Sequence, residues 1–198
     1  SKYEITQSQW QAVMNTSVQD QYNKYKHYKA GRDKPQRRGI GNNYPMYYVS
    51  QNEAKQFCEK LSQLTGLKFA LPTEAQWEYA ARGGKYSKGY KYSGTDYVNT
   101  AVWCRKNSSA THPVKEKAPN ELGLYDMSGN VYEWCSDWYG EYAADDVCNP
   151  AGASSGHSRV VRGGCWINEE SICRVSDRTF GAPRGSGCIL GLRLCLTK

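Results

Sequence analysis

Three segments announce helices by the way polar and apolar positions alternate. Thr6 with Gln9, Ser50 with Glu53 and Thr73 with Gln76 each fit the S/T-x-x-E/Q pattern, in which two side chains satisfy otherwise unpaired N-terminal amides. The first opens "QSQWQAVM". The second opens "QNEAKQFCEKLSQLTG", where Ala54, Phe57, Cys58, Leu61 and Leu64 recur at three- and four-residue intervals and line one helix face. Gly66 suits the left-handed residue that stops a helix. The third opens "EAQWEYAARGG" and is expected to end at Gly83-Gly84.

After Gly84 the rhythm changes to short apolar runs between turns. "TAVWC", "HPV", "RVVRGG" and "LGLRLCL" are strand candidates, and "KYEIT" reads as strand-like at the start. A basic, Tyr-rich insertion, Asn15 to Asn43, separates the first two helices. The pattern predicts an α+β domain with much irregular backbone. The 198 residues fit one domain with a sizeable core, and no repeat or linker divides them. An apolar share of 39% and 16 Tyr mark a globular chain. No apolar run approaches the ~20 residues of a membrane span, and no signal peptide is visible.

The net charge of +7 gathers partly in "KYKHYKAGRDKPQRR", Lys24 to Arg38. With no nucleic-acid fold motif beside it, this stretch reads as a solvated loop and no nucleic-acid partner is expected. None of the eight cysteines forms a C-x-x-C pair, which argues against a zinc site. Free buried thiols and disulfides both remain open, with Cys135 and Cys148 able to close a loop. In "GLYDMSGNVYEW", Asp126 and Glu133 flank a turn at Gly129-Asn130. Hard cations take carboxylates and backbone carbonyls together, so Asp126, the carbonyls of Gly129 and Val131, and Glu133 form a candidate Ca²⁺ loop. The alternative is an Asx-turn with Glu133 facing solvent.

"YEITQSQWQAVM", "LPTEAQWEYAARGG", "PNELGLYDMSGNVYEWCSDWYG", "RVVRGGCW" and "LGLRL", in this order, resemble the formylglycine-generating-enzyme (sulfatase-modifying factor) family over nearly the whole chain. The resemblance implies a C-type-lectin-like fold. It also implies a structural calcium ion at Asp126, Gly129, Val131 and Glu133. The family's enzymes oxidise a sulfatase cysteine with a copper-binding C-x-x-x-x-C pair shortly after "RGG". Here Cys165 and Cys173 are separated by seven residues and no C-x-x-x-x-C occurs. Two thiolates must converge to hold copper, so no copper and no catalysis are expected.

The chain is also similar to a second branch, the variable proteins of diversity-generating retroelements, of the treponemal type. In these, adenine-directed mutagenesis converts Asn codons into a set that excludes Trp, Met, Lys, Gln and Glu. Between Ser171 and Cys195 none of those five residues occurs. The segment from Arg159 to Cys195 is therefore the expected variable region. Its candidate binding positions are Cys165, Ile167, Ile172, Asp177, Thr179, Phe180, Gly181, Ala182, Gly185, Ser186, Gly187, Cys188 and Ile189. Arg174, Arg178, Pro183, Arg184, Leu190, Gly191 and Arg193 would be scaffold, and Trp134, Trp138 and Trp166 are expected to be buried. The implied role is a ligand-binding, receptor- or adhesin-like protein at a bacterial surface. It would be exported, and would meet the membrane only through a lipid anchor outside this chain. A copper oxidase of the formylglycine-generating type and a non-variable structural or carbohydrate-binding relative are the alternatives.

Overall fold

The computed structural model describes residues 1–25, 38–142 and 148–197. The three capped helices form where the pattern places them. They are α1 (Gln7–Met14), α3 (Gln51–Thr65) and α4 (Glu74–Ala81), and each has both bonds of its capping box. Gly66 ends α3 in the left-handed region at φ 73°. A further helix, α2 (Val18–Tyr25), stands in the expected insertion. Its sequence is polar, but Asp20 accepts from the Ser17 N–H at its start, and Val18 and Gln21 are buried. Most of the basic stretch from Lys24 to Arg38 lies outside the described residues.

Two small sheets complete the fold. A two-stranded antiparallel sheet pairs β1 (Lys68–Ala70) with β6 (Cys195–Thr197). The larger sheet has the order β4-β3-β2-β5, built from β2 (Tyr132–Trp138), β3 (Arg159–Arg162), β4 (Arg178–Gly181) and β5 (Leu190–Gly191). Only β2 and β5 run parallel. The mixture of helices, short strands and long irregular connections is the predicted α+β class.

Several expected strands are not strands. "TAVWC" begins inside the short helix α5 (Val98–Ala101), "HPV" is turn and coil, and "KYEIT" makes only a bridge from Thr6 to Pro45. "LGLRLCL" divides between β5 and β6, which belong to different sheets. The central strand β2 was hidden from the pattern because Glu133 and Asp137 stand at interior strand positions, where carboxylates are rare. The expected variable region, in which only "RVVRGG" and "LGLRLCL" read as strands, also contributes β4, in register with β3 from Arg159↔Gly181 to Arg162↔Arg178.

Trp10 stacks on Phe57 at 5.4 Å and joins α1 to α3. On the α3 side of the large sheet, the fully buried Trp134 donates its indole N–H to the carbonyl of Val49 at 2.9 Å. The ring reaches under β4. A Cβ at Gly181 would lie 2.5 Å from its Cη2. Trp166 is also buried, but Trp138 is half-exposed, with the Arg159 guanidinium 3.3 Å from its ring centre.

The Trp134 contact makes position 181 a packing position. Gly181→Ala is expected to cost about 1–3 kcal/mol through overpacking, whereas Ala182→Ser, at an exposed neighbour, should stay within about 0.5 kcal/mol. Urea unfolding of both variants checks this.

Candidate functional site

The segment "DMSGNVYE" wraps a buried polar centre. Its backbone is unusual: Asp126, Gly129 and Asn130 have φ of 58°, 86° and 61°. Gly129 has no alternative, since a Cβ there would lie 2.1 Å from the carbonyl oxygen of Trp103. The loop is held by Gly129 N–H to Gly163 O at 2.8 Å, Asn130 N–H to Trp103 O at 2.9 Å and Trp166 N–H to Asn130 O at 2.9 Å.

Glu133 does not face solvent; it is fully buried. Arg193 donates through Nε to both of its oxygens at 3.1 and 2.9 Å and through Nη2 to Oε1 at 2.8 Å. Trp77 adds its indole N–H at 2.6 Å. Burial by itself would lower the pKa of Arg193, but the Glu133 charge raises it above the ordinary guanidinium value. The same guanidinium donates to the carbonyls of Ser1 and Tyr125. Reading the sequence placed Arg193 in the scaffold without naming its partner.

Two further carboxylates are buried beside this pair. Asp126 accepts the Lys115 N–H at 2.8 Å through Oδ2, while its buried Oδ1 has no partner among the described residues. Burial pushes the Asp126 carboxyl up to about 6, against the Lys115 amide, which lowers it. Glu4, fully buried, accepts from Val131 N–H at 3.1 Å and Asn130 Nδ2 at 2.7 Å. Burial, then the charges of Asp126 and Glu133, raise its pKa well above the carboxylate range. Sequence reading missed Glu4. Its one signal was a Glu between apolar neighbours in "YEIT".

These features fit a hard cation. Three buried carboxylates face one buried arginine, and one carboxylate oxygen is orphaned. Among the described residues no three His, Cys, Asp or Glu side chains converge as a ligand group. Asp126 with backbone carbonyls would therefore carry most of the coordination, and Glu133 already receives donors on both oxygens. A bound cation there would neutralise loop carboxylates and fix the backbone.

The tail passes from this centre to the surface. Arg162, fully buried, lies over the Trp77 ring at 5.3 Å and donates to Glu78 and to the carbonyls of Asp177 and Val175. Arg178 grips Glu74 with Nε at 2.8 Å and Nη2 at 2.6 Å, and its guanidinium faces Tyr139 and Tyr142. Arg178, Gly191 and Arg193 are thus embedded in the scaffold. Arg174 and Arg184 are exposed.

The thirteen candidate binding positions separate by burial. Phe180 (57%), Ile167 (49%) and Ala182 are exposed. Ile172, Asp177, Thr179, Gly181, Gly185, Ser186 and Ile189 are half-buried along the same segment. Cys165, Gly187 and Cys188 are buried, so the expectation that they face a ligand is corrected. Cys165 and Cys188 pack in the main core, and the Gly187 carbonyl accepts from Tyr48 and Leu190. Phe180 leans on Tyr139 at 4.7 Å, and Trp166 lies against the Arg38 guanidinium at 4.5 Å.

All eight cysteines are free thiols. Cys165 donates both N–H and S–H to Asn168 Oδ1, at 2.9 and 3.0 Å. Burial pushes its thiol up to about 12 and raises Cys173 further. Neither is poised as a thiolate. His112 stacks on Trp103 at 3.6 Å, and His27 lies outside the described residues. No helix among the described residues is long and apolar enough to cross a membrane.

A loop at 126–133 wrapped around buried carboxylates, a C-terminal segment held by anchored arginines and an α+β frame of short strands together define a class. The profile of the sulfatase-modifying factor enzyme 1-like domain matches residues 1–198. The chain belongs to this family, the formylglycine-generating-enzyme family, and has its C-type-lectin-like fold. It is 36% identical over 172 residues to a formylglycine-generating enzyme of Streptomyces coelicolor, covering 76% of this chain and 52% of that one. The chain thus spans about half the length of that curated relative. Among solved structures it is similar to Treponema denticola variable protein 1, with a TM-score of 0.82 and 31% identity, covering 98% of this chain and 82% of that one. It is also similar to PvdO from Pseudomonas aeruginosa, with a TM-score of 0.77 and 25% identity, covering 99% and 78%.

Two outcomes test the geometry. Arg193→Met leaves Glu133 buried without its cation and should destabilise the protein by about 3–5 kcal/mol; adding Glu133→Gln should recover a large part. Chemical denaturation of the single and double variants reads this. In the reduced native protein, the exposed Cys148 should react rapidly with a thiol reagent and the half-buried Cys195 slowly. The six buried thiols should react only after unfolding.

Proposed function

We propose that this domain is a non-catalytic ligand-binding protein whose C-terminal segment presents diversified side chains on a fixed backbone. One observation carries the reading. Between Arg162 and Arg193, outward side chains alternate with residues locked into the interior. Phe180 is exposed next to Gly181, which packs on the buried Trp134; Ile167 is exposed next to the buried Trp166. A recognition surface needs side chains that can change on backbone that does not follow them. The likeness to Treponema denticola variable protein 1 supports the same reading. Phe180 and Ile167 serve as apolar anchors of this version of the face, with Ala182 exposed beside them and Thr179, Ser186 and Ile189 as its half-buried members.

Under this reading a structural calcium ion held by Asp126 and the carbonyls of Gly129 and Val131 stiffens the loop behind the face, with Glu133, the fourth residue implied for it, held beside it by Arg193 and Trp77, and no copper is bound. The protein is exported and displayed at a bacterial surface through a lipid anchor outside this chain, where its ligand is a surface molecule or protein. The 36% identity to a formylglycine-generating enzyme favours a second reading, oxidation of sulfatase cysteines. Against it stand the missing C-x-x-x-x-C pair and the seven-residue separation of the buried Cys165 and Cys173.

Sequencing the locus across a cell population decides between them. The expected result is a near-copy of the Arg159–Cys195 coding segment nearby, with differences confined to adenines of the copy. The variation should concentrate at exposed and half-buried codons and spare Arg178 and Arg193. An invariant locus, together with stoichiometric copper binding and aldehyde formation on a C-x-P-x-R peptide, would establish the enzyme instead.

A further inference from the structure

We infer that Glu4 is a positioning residue for the cation at the 126–133 loop, and that it makes the N-terminal segment part of that site. The inference rests on the calcium reading above and extends it to a residue more than a hundred positions away in sequence.

Glu4 reaches the loop at a sensitive point. Its Oε1 accepts the N–H of Val131 at 3.1 Å. The carbonyl of the same peptide group, that of Asn130, accepts from Trp166 N–H at 2.9 Å. The 130–131 peptide is therefore held on both sides. The two carbonyls implied as ligands, those of Gly129 and Val131, belong to the peptides immediately before and after it. Its tilt decides where both point. The second oxygen, Oε2, accepts Asn130 Nδ2 at 2.7 Å, and the Asn130 amide also bonds the N–H and carbonyl of His112 at 2.9 and 3.2 Å. That fixes the left-handed conformation of Asn130.

Charge points the same way. Glu4, Asp126 and Glu133 are each under 5% exposed, and Arg193 is the buried cation facing them. Ionised together they exceed their cation by two charges, the charge of one divalent ion. Buried charge without compensation is strongly unfavourable. The Asp126 oxygen left without a partner supplies an independent sign that a ligand is missing from the hydrogen-bond count. Glu133 cannot answer that need as it stands, with Arg193 and Trp77 on its oxygens. Glu4 accepts one donor on each oxygen and is anchored by its own segment: Ile5 N–H to Leu192 O at 2.9 Å and Tyr125 N–H to Lys2 O at 2.9 Å. Loading the loop would therefore order residues 2–5 together with it.

The test uses the whole 198-residue chain and calcium itself. Calcium affinity is measured by competition with a chromophoric chelator, and melting temperature is measured with and without calcium. Glu4→Gln should weaken calcium affinity at least about tenfold, the scale expected when a group orienting metal ligands is lost. It should shrink the calcium-induced rise in melting temperature while leaving the calcium-free melting temperature within a few degrees of the original. In the unmodified protein, calcium should protect the amides of residues 2–5 from hydrogen exchange along with those of the loop. A purely structural Glu4 would lower the calcium-free melting temperature and leave affinity unchanged; that result overturns the inference, as does calcium protection confined to the loop. If Glu4→Gln does not fold, Glu4→Asp keeps the charge and shortens the reach. It should still lose at least about fivefold in affinity on the same grounds, and an unchanged value overturns the inference. If the unmodified protein binds no calcium, the calcium reading fails and this inference fails with it.

Discussion

The ion pair between Arg193 and Glu133 is the interaction on which the rest of the architecture depends. Each partner is almost fully buried, and each would be costly to bury alone. Together they join the central strand β2 to the chain between β5 and β6. Two further guanidinium hydrogens go to the carbonyls of Ser1 and Tyr125. One side chain therefore fastens the start of the chain, the "DMSGNVYE" loop and the C-terminal strands to a common point. A frame with so few long elements needs such a knot, because its backbone amides and carbonyls cannot all be satisfied within helices and sheets.

A second set of buried charges does the same for the tail. Arg162 and Arg178 come from paired strands, β3 and β4, and both end on the acidic face of α4 at Glu74 and Glu78. Arg is suited to this because its planar fork holds a carboxylate in one orientation. With β4 fixed on one side by Arg178 and on the other by Trp134 beneath Gly181, the residues between are free to differ in chemistry without moving the strand. This is the physical basis for reading the tail as a display surface, and it also narrows that surface. Cys165, Gly187 and Cys188, which lie in the same stretch of sequence, face inward.

Much of the local structure was legible in the sequence. The capping boxes at Thr6, Ser50 and Thr73 fixed three helix starts because the signal is complete within four residues. Gly66 fixed a helix end for the same local reason. β2 was not legible, because Glu133 and Asp137 spoil a strand pattern until their partners, 60 residues ahead and 63 residues behind, are known. α2 was missed because its polar sequence carries little periodicity. β4 was missed because the inward position is glycine, chosen by a tryptophan on another strand.

The candidate site follows the same division. The sequence by itself determined the class of the protein, the loop with Asp126 and Glu133, the lack of a C-x-x-x-x-C pair and the stretch in which variable positions fall, since each of these is a matter of residue type and short spacing. Only the tertiary structure decided which tail residues reach solvent, that Glu133 is spent on Arg193 and Trp77, and that Glu4 closes the loop from the far end of the chain. Burial and charge pairing between distant segments are not properties of any window of sequence; they arise only when the strands and the N-terminal segment are brought to the same place.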